Sequence, residues 1–384
     1  MKTDKNIIAE RCRSIAEQYT DKLILCSDPL RPLWNREAKL FSKPPRWNYI
    51  DSVMIAAVLG LGMMRVDRRL TDYACRFTDA YVMPDGTIPS MEPEDFNLDN
   101  IAGGRNLLRL YKLTGEDRYR LGADFLYTQQ LLRQPRLTCG SFWHKAIYPR
   151  QIWLDGAYMA LPFLTEYGLM TGDRTVISDA LRQLGNIRCL MKDERTGLYR
   201  HGYDETGAQL WADRTTGLSP EIWLRSVGWL CAALADMAEL LPDSLLCHDM
   251  LSELLVAISQ YIRDGMLYQL PVRPDAEGNY PETSGTLLVA YASLKASRLG
   301  IADASEQGFE LLDSVSRDYI SSGAGAPVLR NICLMGGLGG ETERDGSAEY
   351  YLSEPVVEND AKGIAPFLMA CTEAEKLLAT SSDN

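Results

Sequence analysis

Asp99, in FNLDNIAGG, and Asp155, in IWLDGAY, each follow an apolar residue and open a run of small ones. A carboxylate in such company is costly to bury unless it is paired or neutral. Two carboxylates in unlike environments are a common acid–base device, one carrying a proton while the other stays ionised. The stretch around Asp155, FWHKAIYPRQIWLDG (residues 142–156), adds His144 and Lys145 to several aromatic rings. The chain has three His. His144 and His201 (GLYRHGYD) lie in aromatic loop settings, whereas His248 (LLCHDMLSELL) reads as a surface or internally satisfied residue of a helix. Of the seven Trp, Trp143, Trp153, Trp223 and Trp229 fall near these motifs. Aromatic faces combined with a few polar groups suit the C–H faces and hydroxyls of a sugar. Core filling is the simpler role for Trp153 and Trp229; the second nevertheless stays among the candidate substrate contacts. Trp143 beside His144, and Trp223 two residues before Arg225, are the stronger candidates.

Other chemistries lack their residues. No HExxH, no Cys/His cluster and no carboxylate cluster at metal spacing occurs, so no metal and no cofactor is expected. There is no phosphate-binding loop after a strand and no GxSxG elbow; MGGLGG (335–340) reads as a flexible turn. A formal net charge of −12 argues against a nucleic-acid partner. No apolar run reaches membrane-spanning length, and the mixed-charge N-terminal stretch lacks the apolar region of a secretory signal. Nine dispersed Cys read as reduced thiols, so a cytoplasmic location is expected. The expected partner is a small molecule; the sequence leaves the oligomeric state open.

The elements that must position these residues are helical. Apolar residues recur at helical spacing over roughly 5–20, 51–64, 67–81, 99–113, 117–132, 154–169, 173–191, 224–240, 243–262, 284–299, 304–319 and 361–378. Short turns such as Thr114-Gly115-Glu116-Asp117, Thr171-Gly172-Asp173 and Pro242-Asp243-Ser244 join pairs of helices. Longer segments (82–98, 192–222, 264–283, 322–360), rich in Gly, Pro and aromatics, join one pair to the next. That alternation predicts an all-α (α/α)6 barrel of six helical hairpins, with residues 1–384 forming one catalytic domain. Inner helices would start near Asp51, Asp99, Asp155, Arg225, Ser284 and Asp360, all at one mouth. Asp and Ser there could be plain N-caps, a reading that fits Asp155 least. Pro162 is expected to kink its helix or mark an irregular start.

Several motifs together resemble glycoside hydrolase family 105, the unsaturated rhamnogalacturonyl hydrolases. They are FWHKAIYPRQIWLDGAYMALPFLTEYG, LDNIAGGRNLLRLYKLTGEDRY before it, and GLYRHGYDE, WLRSVGW, ETSGTLLVAYASLKASRLG and RDGSAEYYLSEPVVENDAKGIAPFLMA after it. The resemblance runs from about residue 47 to 378 and implies the same barrel. It also implies a reaction unlike ordinary glycoside hydrolysis: hydration of the C4=C5 double bond of a non-reducing-end unsaturated uronic acid on a lyase-generated oligosaccharide. By resemblance, Asp155 is the acid that protonates C4 and then the base for the water adding at C5. Asp99 is the second active-site carboxylate, orienting water or sugar hydroxyls. His144 and His201 line the site, Trp223 and Arg225 match a Trp-x-Arg in which the guanidinium faces the uronate, and Tyr49 matches a substrate-contacting Tyr. Apolar neighbours and Asp99 would raise the Asp155 pKa, while a helix N-terminus would lower it.

One departure stands out. The family commonly carries Trp-x-Arg-Gly-Asn-Gly-Trp, and this chain has Ser226 and Val227 at the middle positions. Val cannot make the hydrogen bonds of an amide, so recognition beyond the uronate is expected to differ, through another aglycone or a glucuronate-derived residue. Two other classes stay open here. A sugar epimerase or isomerase on the same fold would use His144 and His201 but leaves the WLDG motif without a role. A non-catalytic oligosaccharide-binding relative has only the Ser226-Val227 change in its favour.

Overall fold

The computed structural model describes residues 4–382. Helix α1 (Lys5–Tyr19) and the short α2 (Arg36–Leu40) precede five helical hairpins. These are α3 (Tyr49–Arg65) with α4 (Arg68–Asp79), α5 (Gly104–Thr114) with α6 (Asp117–Phe125), α7 (Asp155–Thr171) with α8 (Arg174–Met191), α9 (Leu224–Leu240) with α10 (Leu245–Ser259), and α11 (Thr283–Arg298) with α12 (Ser305–Ser314). A short α13 (Ala348–Ser353) leads to α14 (Ala361–Ser382), which takes α1 as its outer partner. The inner helices α3, α5, α7, α9, α11 and α14 each touch the next, and α14 touches α3, so the ring closes. The fold is an (α/α)6 barrel, with α1 completing the sixth hairpin from the far end of the sequence.

The inner ring forms because its helices are apolar on nearly every side. In α9, all residues from Leu224 to Ala238 are buried, as expected for a helix packed between a ring and an outer layer. The predicted turns hold: Gly115 and Gly172 take left-handed conformations that end α5 and α7, and Asp173 then caps α8. Helix α7 runs on through Pro162. Among the described residues no helix is long and apolar enough to cross a membrane, and all nine cysteines are free.

Structure departs from expectation in the connections. Three two-stranded antiparallel sheets lie in them: Gln151–Trp153 with Gly202–Asp204, Ile320–Ser321 with Val328–Leu329, and Ile332–Cys333 with Val356–Val357. The helix expected from residue 99 begins instead as a 3-10 segment, Leu98–Gly103, before α5. Asn97 accepts the Asp99 N–H, and the Trp47 indole donates to the Asn100 carbonyl at 2.7 Å. That carbonyl is thereby engaged from outside the helix, where an α-helical turn would have used it.

Candidate active site

Four of the six inner starts have side-chain caps that hold their first turn. Asn48 caps α3, Asn97 the 3-10 segment before α5, and Glu282 α11; the Asp360 carboxylate accepts the Lys362 N–H at the head of α14. Helices α7 and α9 have no side-chain cap. Those two begin with Leu154-Asp155 and Trp223-Leu224-Arg225. Asp155 is thus the first residue of α7, and its carboxylate is free of capping duty.

The carboxylate turns to His201. Asp155 Oδ2 lies 3.1 Å from His201 Nε2, and His201 Nδ1 lies 2.6 Å from the Tyr351 hydroxyl. The sheet pairing Trp153 with Gly202 creates this contact, and Leu154 N–H donates to the His201 carbonyl at 3.0 Å. Two residues far apart in sequence thereby sit side by side. Burial alone would push the Asp155 carboxyl up. The hydrogen bond and charge of His201, with His144 and Arg225 beyond, outweigh burial and hold it below its ordinary value. The competing expectations for this group are settled in the lowered direction, and the deciding partner is a histidine. Burial keeps the Tyr351 phenol protonated by pushing it well up.

The second carboxylate, Asp99, is held by Lys145 at 2.6 Å and approached by His144 Nε2 at 3.7 Å. His144 is buried. Its ring stacks on Trp153 with centroids 4.6 Å apart, and Tyr148 also stacks on that indole at 4.5 Å. Burial, countered by Asp99 and aided by Lys145, drives the His144 pKa down to about 4, so the ring is neutral at physiological pH. Its Nδ1 has no hydrogen-bond partner in the protein, and Gly156 leaves the space in front of it: a Cβ there would come within 3.2 Å of that nitrogen.

Tyr49, the first residue of α3, and Asp99 line one cavity of about 220 Å³ together with Asn97 and Asn100. Trp143 is half-buried with its indole N–H lacking a protein partner. Trp223 is buried, donates to Gln269 Oε1 at 3.1 Å, and stacks on Tyr351 with centroids 5.9 Å apart. Arg225 lies over the Trp223 ring at 4.7 Å, fully buried, and donates to Ser284 Oγ at 3.3 Å and to the Cys333 carbonyl. Trp229 is placed differently from the other candidates: it stacks on Tyr158 at 4.7 Å within the barrel core. One and a half turns into α9, it has passed the mouth. Ser226 Oγ donates to the Trp223 carbonyl at 2.8 Å, and Val227 joins the core.

A family model described as Glycosyl Hydrolase Family 88 matches residues 32–378. A solved structure from C. acetobutylicum ATCC 824, a glycoside hydrolase from family 105, is 31% identical and superposes with a TM-score of 0.85 over 96% of this chain and 99% of that one. The chain belongs to the family 88/105 glycoside hydrolases. Protein Atu3128 of Agrobacterium fabrum is 39% identical over 231 residues, 56% of this chain and 98% of that protein. The unsaturated rhamnogalacturonyl hydrolase YesR of Bacillus subtilis is 25% identical over 246 residues, 61% of this chain and 69% of YesR.

Within this family 88/105 member, sequence reasoning missed Tyr351. It follows His201 by 150 positions and arrives on α13, a six-residue helix too short to show periodicity. Tyr148 was missed as well, although it lies within the quoted aromatic stretch. The glycine run does turn, with Gly339 and Gly340 at positive φ, but it also packs. Gly336 lies flat against Trp223, where a Cβ would sit 2.6 Å from the indole, so the run presses the aromatic wall into place. Among the described residues no group of His, Cys, Asp and Glu is arranged to hold a metal ion.

Proposed function

We propose that the chain removes a non-reducing-end 4,5-unsaturated uronic acid from lyase-generated oligosaccharides by hydrating its C4=C5 bond, with Asp155 as acid and then base. The observation that carries this reading is the uncapped Asp155 carboxylate bonded to His201, with a second carboxylate, Asp99, held apart on Lys145. The family membership and the likeness to YesR support an unsaturated rhamnogalacturonan disaccharide as the first substrate to try.

In this mechanism the His201–Asp155 pair shares one proton. The proton passes through Asp155 to C4 as the C4=C5 π electrons form the new C–H bond. A water then adds its oxygen to C5 and returns a proton to Asp155. The resulting hemiketal opens to a C5 ketone, the former ring oxygen becomes a hydroxyl on C1, and C1 expels the aglycone as an alcohol. Asp99 orients the water or the hydroxyls, and Tyr49, Trp143 and Lys145 hold the ring. The neutral His144 stands behind Asp99, its Nε2 3.7 Å from that carboxylate. Arg225 supplies a buried positive charge that balances the uronate carboxylate. Because the Asp155 pKa is lowered, the acid in this mechanism is the hydrogen-bonded His201–Asp155 pair and not a lone raised carboxyl.

The test is loss of the ultraviolet absorbance of the conjugated C=C–COO⁻ group on unsaturated disaccharides from rhamnogalacturonan and from glucuronate-containing polymers. Loss with the wild type and none with Asp155→Asn is the expected result. Absorbance unchanged on every substrate, or retained loss in the variant above about one percent of wild type, would sink the assignment, since removing an acid/base group costs on the order of 10²–10⁴-fold.

A further inference from the structure

The segment LRPLWNREAKLFSKPPRW, residues 30–47, carries Arg31, Arg36, Lys39, Lys43 and Arg46 against the single acid Glu37. That is +5 and −1, or +4 locally, on a chain whose formal net charge is −12. The segment is tied firmly to the barrel. Trp34 and Asn35 donate to the Asp51 carboxylate at 2.9 and 3.1 Å, and Glu37 pairs at 2.9 Å with Lys362, which is 2% exposed. A solvated basic run needs no such anchoring.

Its cations are also left unpaired. Lys43 reaches Glu37 at 3.1 Å, but the side chains of Arg31, Lys39 and Arg46 make no hydrogen bond or ion pair among the described residues. Some surface cations elsewhere find carboxylates, as Arg69 does with Asp67 at 2.8 Å and Arg136 with Asp179 at 2.7 Å; what marks this segment is that its unpaired cations share one groove. The unpaired side chains line a groove of about 660 Å³, within the size range of ligand sites. This groove shares Lys43, Arg46 and Asn48 with the cavity at Asp99 and Tyr49, so the two are continuous. Pro44, Pro45 and Leu33 give it apolar faces, and Leu33 is 51% exposed.

We infer that this groove receives the reducing-end side of a longer substrate, and that the substrate is an acidic oligosaccharide bearing a carboxylate or sulfate on a sugar beyond the one cleaved. The inference rests on the proposed reaction for the position of the cleaved residue. The groove itself rests on the charge and geometry alone. Guanidinium forks bind carboxylate and sulfate oxygens in pairs, and Lys39 adds a mobile point charge. The apolar faces take the C–H sides of the rings.

The test compares kcat/KM on unsaturated disaccharides and tetrasaccharides of polygalacturonate, and on the same pair from a sulfated glycosaminoglycan. Wild type is set against Arg31→Ala/Lys39→Ala at low salt and at high salt. Both residues line only the outer groove, so disaccharide turnover is expected to stay unchanged. Wild type should prefer one of the tetrasaccharides by roughly tenfold at low salt, the scale of two exposed ion pairs, and lose that preference in high salt and in the double variant. The arm that shows the preference names the anion. A preference absent in both arms, or untouched by the double variant, overturns the groove. Titration calorimetry with saturated acidic tetrasaccharides, which have no double bond to hydrate, separates the two claims. Salt-sensitive binding lost in the double variant upholds the groove even where no substrate is turned over, a result that would overturn only the reaction. Equal binding by both proteins overturns the groove whatever the turnover.

Discussion

The two ends of the barrel treat their central carboxylates, Asp236 and Asp155, differently. At the end formed by the C-terminal halves of the inner helices, a cavity of about 390 Å³ is lined by ions most of which pair with one another. Asp236 accepts from Arg105, from Tyr291 and from Lys295 at 2.7 Å; Lys295 also reaches Glu239 at 2.6 Å, and Arg298 joins Glu239 to Glu373 at 2.6 Å each. Burial would raise the Asp236 carboxyl, but Arg105 and Lys295 force it far down. At the N-terminal mouth, by contrast, Asp155 bonds a histidine whose other nitrogen meets a neutral phenol, and polar atoms of Asn100, Trp143, His144 and Asp360 have no protein partner. Buried polar atoms are normally satisfied. The end with closed networks is built for stability; the end with open valences is built to meet a ligand.

The largest effect should break that contrast from the mouth. Asp155→Asn keeps the shape and can still bond His201, so the fold is expected to persist while turnover drops by about 10²–10⁴-fold or more. Circular dichroism and the absorbance assay together check it. At the other end Asp236→Asn should do the reverse. Leaving Arg105 and Lys295 facing a neutral amide is expected to destabilise the protein by about 3–5 kcal/mol, read as a lower denaturant midpoint. Turnover per folded molecule should stay within about twofold. A variant of Asp236 that lost activity while keeping its midpoint would mean that the two ends do not divide the work.

Much of this contrast was legible beforehand, and the parts that were not share a physical cause. The hairpins and the inner-helix starts follow from helical periodicity and turn residues, which act over a few positions, so Asp155 and Arg225 were found at the mouth. What periodicity cannot report is which distant residues share a space. His201 reaches Asp155 only because three residues, Gln151–Trp153, pair as a strand with Gly202–Asp204, a segment too short to show alternation. Trp229 carries the same composition signal as Trp223, yet six positions along a helix take it from the aromatic wall to the core. The Asp155 pKa depends on a balance between burial and a histidine 46 positions away, and no local pattern weighs those two.

A smaller effect sharpens the comparison through pH. His144 titrates near 6.5 when unfolded and about 4 in the fold, chiefly because burial disfavours its charge. Between those values the unfolded chain binds the proton and the folded one does not, so stability rises with pH across that window. Going down from pH 6.5 to 4, the wild type should lose about 3 kcal/mol from this residue. His144→Gln removes that contribution, so the stability of the wild type relative to the variant should fall as pH drops through the window and run flat above it. Curves parallel throughout would show that His144 is not held neutral, and the mouth would then resemble the charge-matched end more than the open valences suggest.

The smallest effect concerns Tyr351, which separates a working pair from a merely packed one. Its hydroxyl is 2.6 Å from His201 Nδ1, so it bonds the ring in either protonation state: as donor to the neutral ring, as acceptor from the imidazolium. A hydrogen bond to the charged form is the stronger of the two, about 1.5–3 kcal/mol against about 0.5–1.5. Tyr351→Phe therefore weakens the charged state more, and the His201–Asp155 pair should give up its shared proton more easily. The expected result is a fall in kcat/KM of roughly tenfold at neutral pH, with the alkaline limb of the pH–rate profile moved to lower pH. If the phenol only fills the space beside Trp223, the variant keeps that packing, and the profile should lose height without moving along the pH axis. A displaced limb would show that the mouth tunes its acid through a neutral hydroxyl, where the opposite end of the same barrel fixes its carboxylates with full charges.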